Sequence, residues 1–442
     1  MPSPLSDPVK LPCGLVLPNR LSKVRNSPLI PSTAAGQKHN LTHSQAAMAE
    51  MMAKSHHPDP LYEAYEKWST GGWGSILTGN VQVDINHLGS PFDPALDGEY
   101  TGPDDENKAL VARWTKYATA CQQHGTPALA QICHPGRQSF RVAGKRGIFA
   151  NTIAPSAVPI SVGNSWLECL IGAIAWTKPR AMSTAEVQRV ISQFVDTARL
   201  MADAGFSGIE LHGAHGYLID QFLSSKTNLR TDEFGGTPEK RARFVLEIIK
   251  QTRAVVPSTF AIGIKLNSAD HSSATFEETM AQIALLVEAG IDFMEISGGT
   301  YEDPQMMGYP KSEIPVKSER TAAREAFFLE FAKTVRGRHP DLILMLTGGF
   351  RTRAGCVAAI EDGACDLVGI GRPAAVEPAF PQLLLDENVK DEKAALPLIK
   401  VPPPWYAKFL PRNLIGAGAE TTYYAGQIQR FARGLATYAP AL

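Results

Sequence analysis

Between residues 212 and 217 the chain reads His-Gly-Ala-His-Gly-Tyr, straight after the apolar run Gly208-Ile209-Glu210-Leu211. Two imidazoles and a phenol within six positions can hydrogen-bond a substrate oxygen and hand over a proton. His212 and His215, three apart, also have the spacing of metal ligands on one helical turn, or of ordinary capping and packing residues. A zinc site needs a third ligand, and only Glu210 and Asp220 stand near in the chain, so no metal is expected. What these side chains do depends on the elements that present them.

Short apolar, β-branched runs recur at 74–79, 128–133, 208–212, 261–266, 292–297, 342–347 and 366–371, the pattern of strands buried on both faces. Between most of them lie helical stretches such as 184–204, where Val187, Val190, Ile191, Phe194, Val195, Ala198 and Met201 form one apolar face. Gly125, Gly205, Gly290 and Gly363 stand where these helices stop, ahead of the next strand. Such repetition means parallel strands joined by crossover helices. With 20–23 as a first strand the count is eight, which predicts the α/β class and a closed (β/α)8 TIM barrel; a doubly wound sheet is the alternative. We expect a single barrel domain over 1–380 and a C-terminal extension, 381–442, packed on it. In a barrel the chemistry gathers at the C-terminal ends of the strands, where the His-Gly-Ala-His-Gly-Tyr segment falls.

Bulk properties narrow the function. The 442 residues are 44% hydrophobic, and 43 basic against 44 acidic side chains leave a formal charge of −1. Such a chain has no electrostatic pull toward nucleic acid or an anionic membrane, and a small-molecule enzyme is expected. The six cysteines, Cys13, Cys121, Cys133, Cys169, Cys356 and Cys365, form no Cys-x-x-Cys pair, which argues against zinc ribbons, iron–sulfur clusters and a disulfide scaffold. The longest apolar run, Leu170 to Trp176, is too short to span a bilayer, and the N-terminus shows no signal-peptide pattern. We expect a cytoplasmic protein, monomeric or homodimeric.

Beyond Tyr217 the chain continues through Asp220, Gln221, Asn228, Arg230, Thr231, Asp232, Glu233, Phe234, Gly235 and Gly236 to Arg241. This stretch resembles the signature of the old yellow enzyme family, the FMN-dependent ene-reductases, and especially its fungal members. The likeness runs from Leu17-Pro18-Asn19-Arg20-Leu21 through Gly371-Arg372 to Ile415-Gly416. It implies that His212 and His215 donate to the carbonyl or nitro oxygen of an activated alkene and that Tyr217 protonates its α-carbon. It also implies FMN, reduced by NADPH or NADH in a ping-pong cycle. Lys265 matches the cation at flavin N1, Gln131 the pyrimidine contact and Gly79 a backbone contact. Gly349, Gly371 and Arg372 match the phosphate cradle, as glycine-opened strand ends should. Cys133 is expected to shape the substrate cavity. Tyr301, Met306, Met307 and Tyr309, in the long loop 300–320, are expected either to shape it too or to form an ordinary surface excursion.

The first strand departs from that pattern. Where a short flavin-contact loop should follow Asn19–Lys23, residues 24–45 intervene before Ala46-Ala47-Met48-Ala49. The segment is polar, contains proline and lacks periodicity, so it is expected to be an irregular insert. We read it as an intron retained in frame, a lid being the alternative; transcripts that always carry these codons would defeat the intron. Ala47, Met48 and Ala49 are the expected flavin contacts if the strand resumes after the insert. Two further readings stand beside the ene-reductase: a flavin-binding protein whose catalysis the insert impairs, and a flavin-free TIM-barrel lyase or isomerase.

Overall fold

The computed structural model describes residues 3–24, 50, 52–161, 166–268, 275–297, 329–397, 401 and 412–437. Ala47, Met48, Ala49, most of the expected insert and the loop 300–320 lie outside them.

Eight parallel strands close into a barrel in chain order: β1 (Leu21–Lys23), β2 (Ser75–Gln82), β3 (Ala128–Cys133), β4 (Gly208–Gly213), β5 (Ala261–Asn267), β6 (Phe293–Ser297), β7 (Leu344–Thr347) and β8 (Leu367–Ile370). The (β/α)8 expectation therefore holds and the doubly wound alternative falls. Period-two alternation divides each strand. Ile209 and Leu211 join the core under the helices, while Glu210 and His212 take the other face of β4 and are equally buried. Leu77, Leu129, Ala261, Phe293, Met345 and Leu367 plug the N-terminal end of the barrel. Gly263 makes room for that plug, because a Cβ there would lie 2.1 Å from the Phe293 ring. A small hairpin, Val9–Lys10 paired with Val16–Leu17, seals the same end, held by Cys13 N–H donating to Asp292 Oδ1 at 2.8 Å.

The outer helices follow their sequence cues. Ser183 opens Thr184–Asp203 with a capping box to Glu186, Val187 through Met201 bury the predicted stripe, and Gly205 follows at φ 89. The tail contributes a helix to the ring. Its helix Arg412–Ala432 packs on Tyr62–Ser69 and Arg372–Val376, with Phe431 edge-on to Trp68 at 5.2 Å. Between β3 and β4 lies an excursion that the periodicity did not announce: the strand pair Ile153–Ala154 and Arg180–Ala181, and a helix, Trp166–Ala175, with Trp166 and Ile174 exposed. It holds most of the apolar run noted above. Among the described residues no helix is long and apolar enough to cross a membrane.

Candidate active site

The turn after β4 is built to aim three side chains. His215 sits at φ 59 and Gly216 at φ 77, left-handed positions that favour glycine; a histidine there costs about 1 kcal/mol or more. A Cβ on Gly216 would lie 2.1 Å from Gln138 Nε2, which donates to the His215 carbonyl at 2.9 Å. Asn267, at the end of β5, accepts the His215 amide at 3.2 Å. Asp220 accepts from the Gly216 amide at 2.6 Å and from Asn267 Nδ2 at 2.8 Å. Burial pushes the Asp220 carboxyl up to about 6, against the lowering pull of the Gly216 amide and Arg137. Tyr217 then caps Leu218–Leu223.

The imidazoles form a series rather than two parallel donors. His212 Nδ1 accepts the Ala214 amide at 3.3 Å, which places the proton of the uncharged ring on Nε2. His212 Nε2 faces His215 Nδ1 at 3.3 Å, and His215 Nε2 then donates to Ser297 Oγ at 3.0 Å. A substrate oxygen placed against both Nε2 atoms would exchange those bonds for bonds of the same kind. The Tyr217 ring stacks on His212, centroids 4.5 Å apart at 29°. The three side chains are each 3% exposed or less. Ser297 escaped the sequence reading, although its place at the end of a barrel strand was a usable signal.

Below this group lies a charged layer. Gln131 Nε2 donates to Glu210 Oε2 at 2.5 Å, and Lys265 Nζ pairs with Glu295 Oε1 at 2.6 Å. The pairing of β3 with β4 and of β5 with β6 sets Gln131 beside Glu210 and Lys265 beside Glu295. Burial raises the Glu210 carboxyl well above its ordinary range, and Glu295 raises it further. Glu295 carried no sequence signal beyond its strand.

The remaining flavin candidates divide. Gln131 Oε1 is buried without a partner, an acceptor of the kind that a flavin ring N–H requires. Gly349 (φ 79) follows β7, and Gly371 precedes Arg372–Val376 at the end of the neighbouring β8, so two glycine-opened turns and Arg372 follow paired strands. Lys265 supplies buried charge, shared with Glu295. These residues fit FMN. Gly79 is otherwise engaged: its N–H donates to Tyr65 Oη at 2.7 Å and its carbonyl accepts from Thr78 Oγ1 at 2.7 Å. Cys133 is buried in a cluster with Tyr217, Leu88, Phe140 and Trp176, as a cavity-shaping residue would be.

A second histidine pair lies at the ends of β2 and β3. Asp84, His87 and His134 bring ligand-type atoms within 4.8 Å of one another. Their arrangement is that of imidazole N–H groups turned toward a carboxylate rather than of metal ligands. His134 Nδ1 accepts the Gly136 amide at 2.9 Å, so Nε2 carries the proton and points it at Asp84 Oδ2, 3.7 Å away. That nitrogen has no lone pair for a metal. His87 Nδ1 lies 2.9 Å and Arg189 Nη1 3.7 Å from the same oxygen. Burial would raise the Asp84 carboxyl, but the neighbouring His134 and His87 rings hold it well below the carboxylate range, while burial lowers His134 to about 4.

An eight-stranded parallel barrel that gathers titratable side chains at one mouth is an enzyme scaffold of the (β/α)8 class. Within that class the chain belongs to the NADH:flavin oxidoreductase / NADH oxidase family, whose model matches residues 37–391, which makes FMN its cofactor and a nicotinamide nucleotide its electron donor. It is 42% identical over 404 residues to the NADH-dependent flavin oxidoreductase iliE of Hypocrea jecorina (strain QM6a), covering 90% of this chain and 93% of that one. It is 39% identical over 435 residues to the NADH-dependent flavin oxidoreductase iccE of Talaromyces variabilis, covering 97% and 98%. Morphinone reductase shares the fold, with a TM-score of 0.63 at 20% identity over 87% of this chain and 90% of that one. An old yellow enzyme homologue from Zymomonas mobilis does so with a TM-score of 0.63 at 20% identity over 90% and 97%. Membership in a flavin family removes the flavin-free lyase or isomerase.

Proposed function

We propose that the protein reduces the C=C bond of activated alkenes, such as enones, enals and nitroalkenes, with NADH as the donor that its relatives' names favour. The observation that carries this reading is Tyr217 stacked on His212 with His215 beside them, all buried at the barrel mouth. FMN, when bound, supplies a two-electron hydride relay between nicotinamide and alkene. His212 and His215 release their mutual bond to hold the substrate oxygen, which draws electrons from the C=C bond and makes its β-carbon electrophilic. Tyr217 gives its proton to the α-carbon as a general acid. Gln131 and Lys265 hold the cofactor ring, Gly349, Gly371 and Arg372 its phosphate. Cys133, with Leu88 and Phe140, keeps water from the reacting carbons. The protein acts on small molecules alone, and one mouth serves both donor and alkene.

The experiment is a spectral cycle on purified protein loaded with FMN. The expected result is a yellow protein that bleaches with NADH, faster than with NADPH, and regains its colour as 2-cyclohexenone becomes cyclohexanone. A protein that bleaches with NADH yet stays bleached under enones and enals contradicts the alkene reading. A parallel preparation lacking residues 24–45 reads out whether the insert impairs catalysis.

A further inference from the structure

The end of β2 carries an irregularity whose product is one aimed side chain. The pairing of β2 with β3 slips between Leu77 and Asn80. Such a bulge leaves ladder groups open and redirects the side chains that follow. Here side chains supply partners to three of these groups. Thr78 Oγ1 accepts the Gln131 amide at 3.0 Å and donates to the Gly79 carbonyl, and Tyr65 Oη accepts the Gly79 amide. Asn80, 2% exposed, thereby points across the barrel mouth and its Nδ2 donates to Tyr217 Oη at 3.0 Å. Its Oδ1 is buried without a partner, a cost that a residue serving packing alone would shed as leucine. The loop after β2 makes room for the same phenol: a Cβ on Gly89 would lie 3.1 Å from Tyr217 Oη and 3.3 Å from Asp93 Oδ2.

We propose that Asn80 is a positioning residue for the proton-transfer step, donating to Tyr217 Oη so that the charge left on the phenol oxygen is held when its proton goes to the substrate. The proposal rests on the alkene-reduction reading. In the step, the O–H bond of Tyr217 breaks and a C–H bond forms at the α-carbon. The bonding pair stays on Oη, and a proton from solvent later restores the phenol. The hydride that completes the reduction comes from the nicotinamide donor that the family uses. A phenolate formed in a buried mouth needs a donor already in place. An amide N–H meets that need without competing for the phenol proton, whereas a carboxylate would take that proton for itself. A hydrogen bond to a charged group corresponds to roughly 10- to 100-fold in rate.

The test compares wild type, Asn80→Ala, Asn80→Asp and Tyr217→Phe as FMN-loaded proteins. Stopped-flow absorbance gives the ratio of the 2-cyclohexenone step to the NADH step in each protein. Asn80→Ala is expected to lower that ratio roughly 10- to 100-fold and to move the alkaline limb of its pH profile upward; Asn80→Asp is expected to lower it further. A second readout does not depend on turnover. The ultraviolet difference titration that isolates Tyr217, each protein against its own Tyr217→Phe counterpart, is expected to move to higher pH in Asn80→Ala. An unmoved titration and limb would overturn the proposal, as would equal losses in both half-reactions together with loss of flavin. If the wild type bleaches but never reduces an alkene while the titration still moves, the alkene reading falls and the pairing of Asn80 with the phenol oxygen stands.

Discussion

Two histidine pairs lie at the mouth of one barrel, and they are wired differently. His87 and His134 face a single carboxylate, Asp84, with Arg189 beyond it. His212 and His215 face each other, a backbone amide and Ser297. The first pair spends its protons on a charge that never leaves. The second spends them on neutral acceptors, which a substrate oxygen can replace at little cost because bonds of the same kind are exchanged. The same residue type therefore makes an anchor at one strand end and a donor site at the next, and the partner atoms decide which.

That contrast can be broken by substitution, the largest effect first. Tyr217→Phe removes the acid that the second pair serves and should slow the enone step by roughly 10²- to 10⁴-fold in stopped flow, while NADH bleaching continues. His212→Ala should cost the enone step roughly 10²- to 10³-fold, as the loss of one donor to a developing oxyanion does, and should weaken phenolic ligands in flavin absorbance titrations. Asp84→Ala should act in the opposite column. Leaving the buried His134 and His87 N–H groups without their acceptor should cost about 1–3 kcal/mol in urea unfolding, while the enone-to-NADH rate ratio of the folded protein stays at the wild-type value. If Asp84→Ala instead lowered that ratio, the anchor reading would fail.

The smallest effect is a slope. Asp220 keeps its proton to about pH 6 in the folded chain against 3.8 as its ordinary value, so the folded state binds more protons in that window and stability falls as pH rises through it. His134 does the reverse: its folded value of about 4 lies below the ordinary 6.5, so stability is lost as pH falls from 6.5 to 4. The two contributions oppose each other between pH 4 and 6. Asp220→Asn removes the first, and its melting temperature should drop more steeply on acidification than that of the wild type.

The barrel was legible because strand length, helix periodicity and C-terminal glycines agree along the chain, and every predicted strand is present within a few residues. The error at β2 is instructive. The apolar run 74–79 ends at Gly79, whereas the structure carries the strand to Gln82 because the Thr78 hydroxyl and Tyr65 bridge the bulge. That misreading hides Asn80. Glu295 and Ser297 stayed hidden for a different reason: a strand buried on both faces shows no period that marks which side chains face inward. His212, His215 and Tyr217 were legible through their motif, but their series of hydrogen bonds was not, since it depends on the αL turn at His215 and on β6. The Asp84 cluster unites residues from the loops after β2 and β3 with Arg189 of the helix Thr184–Asp203, a meeting that the pairing of β2 with β3 creates.

The central claim is that the imidazole pair presents its Nε2 protons to one ligand oxygen above the flavin. A crystal structure of the FMN-loaded protein with 4-hydroxybenzaldehyde tests it most directly. The account predicts the phenolic oxygen roughly 2.7–3.2 Å from Nε2 of both His212 and His215, with the aldehyde ring over the flavin. A ligand held elsewhere, with the bonds from His212 to His215 and from His215 to Ser297 intact, would contradict it.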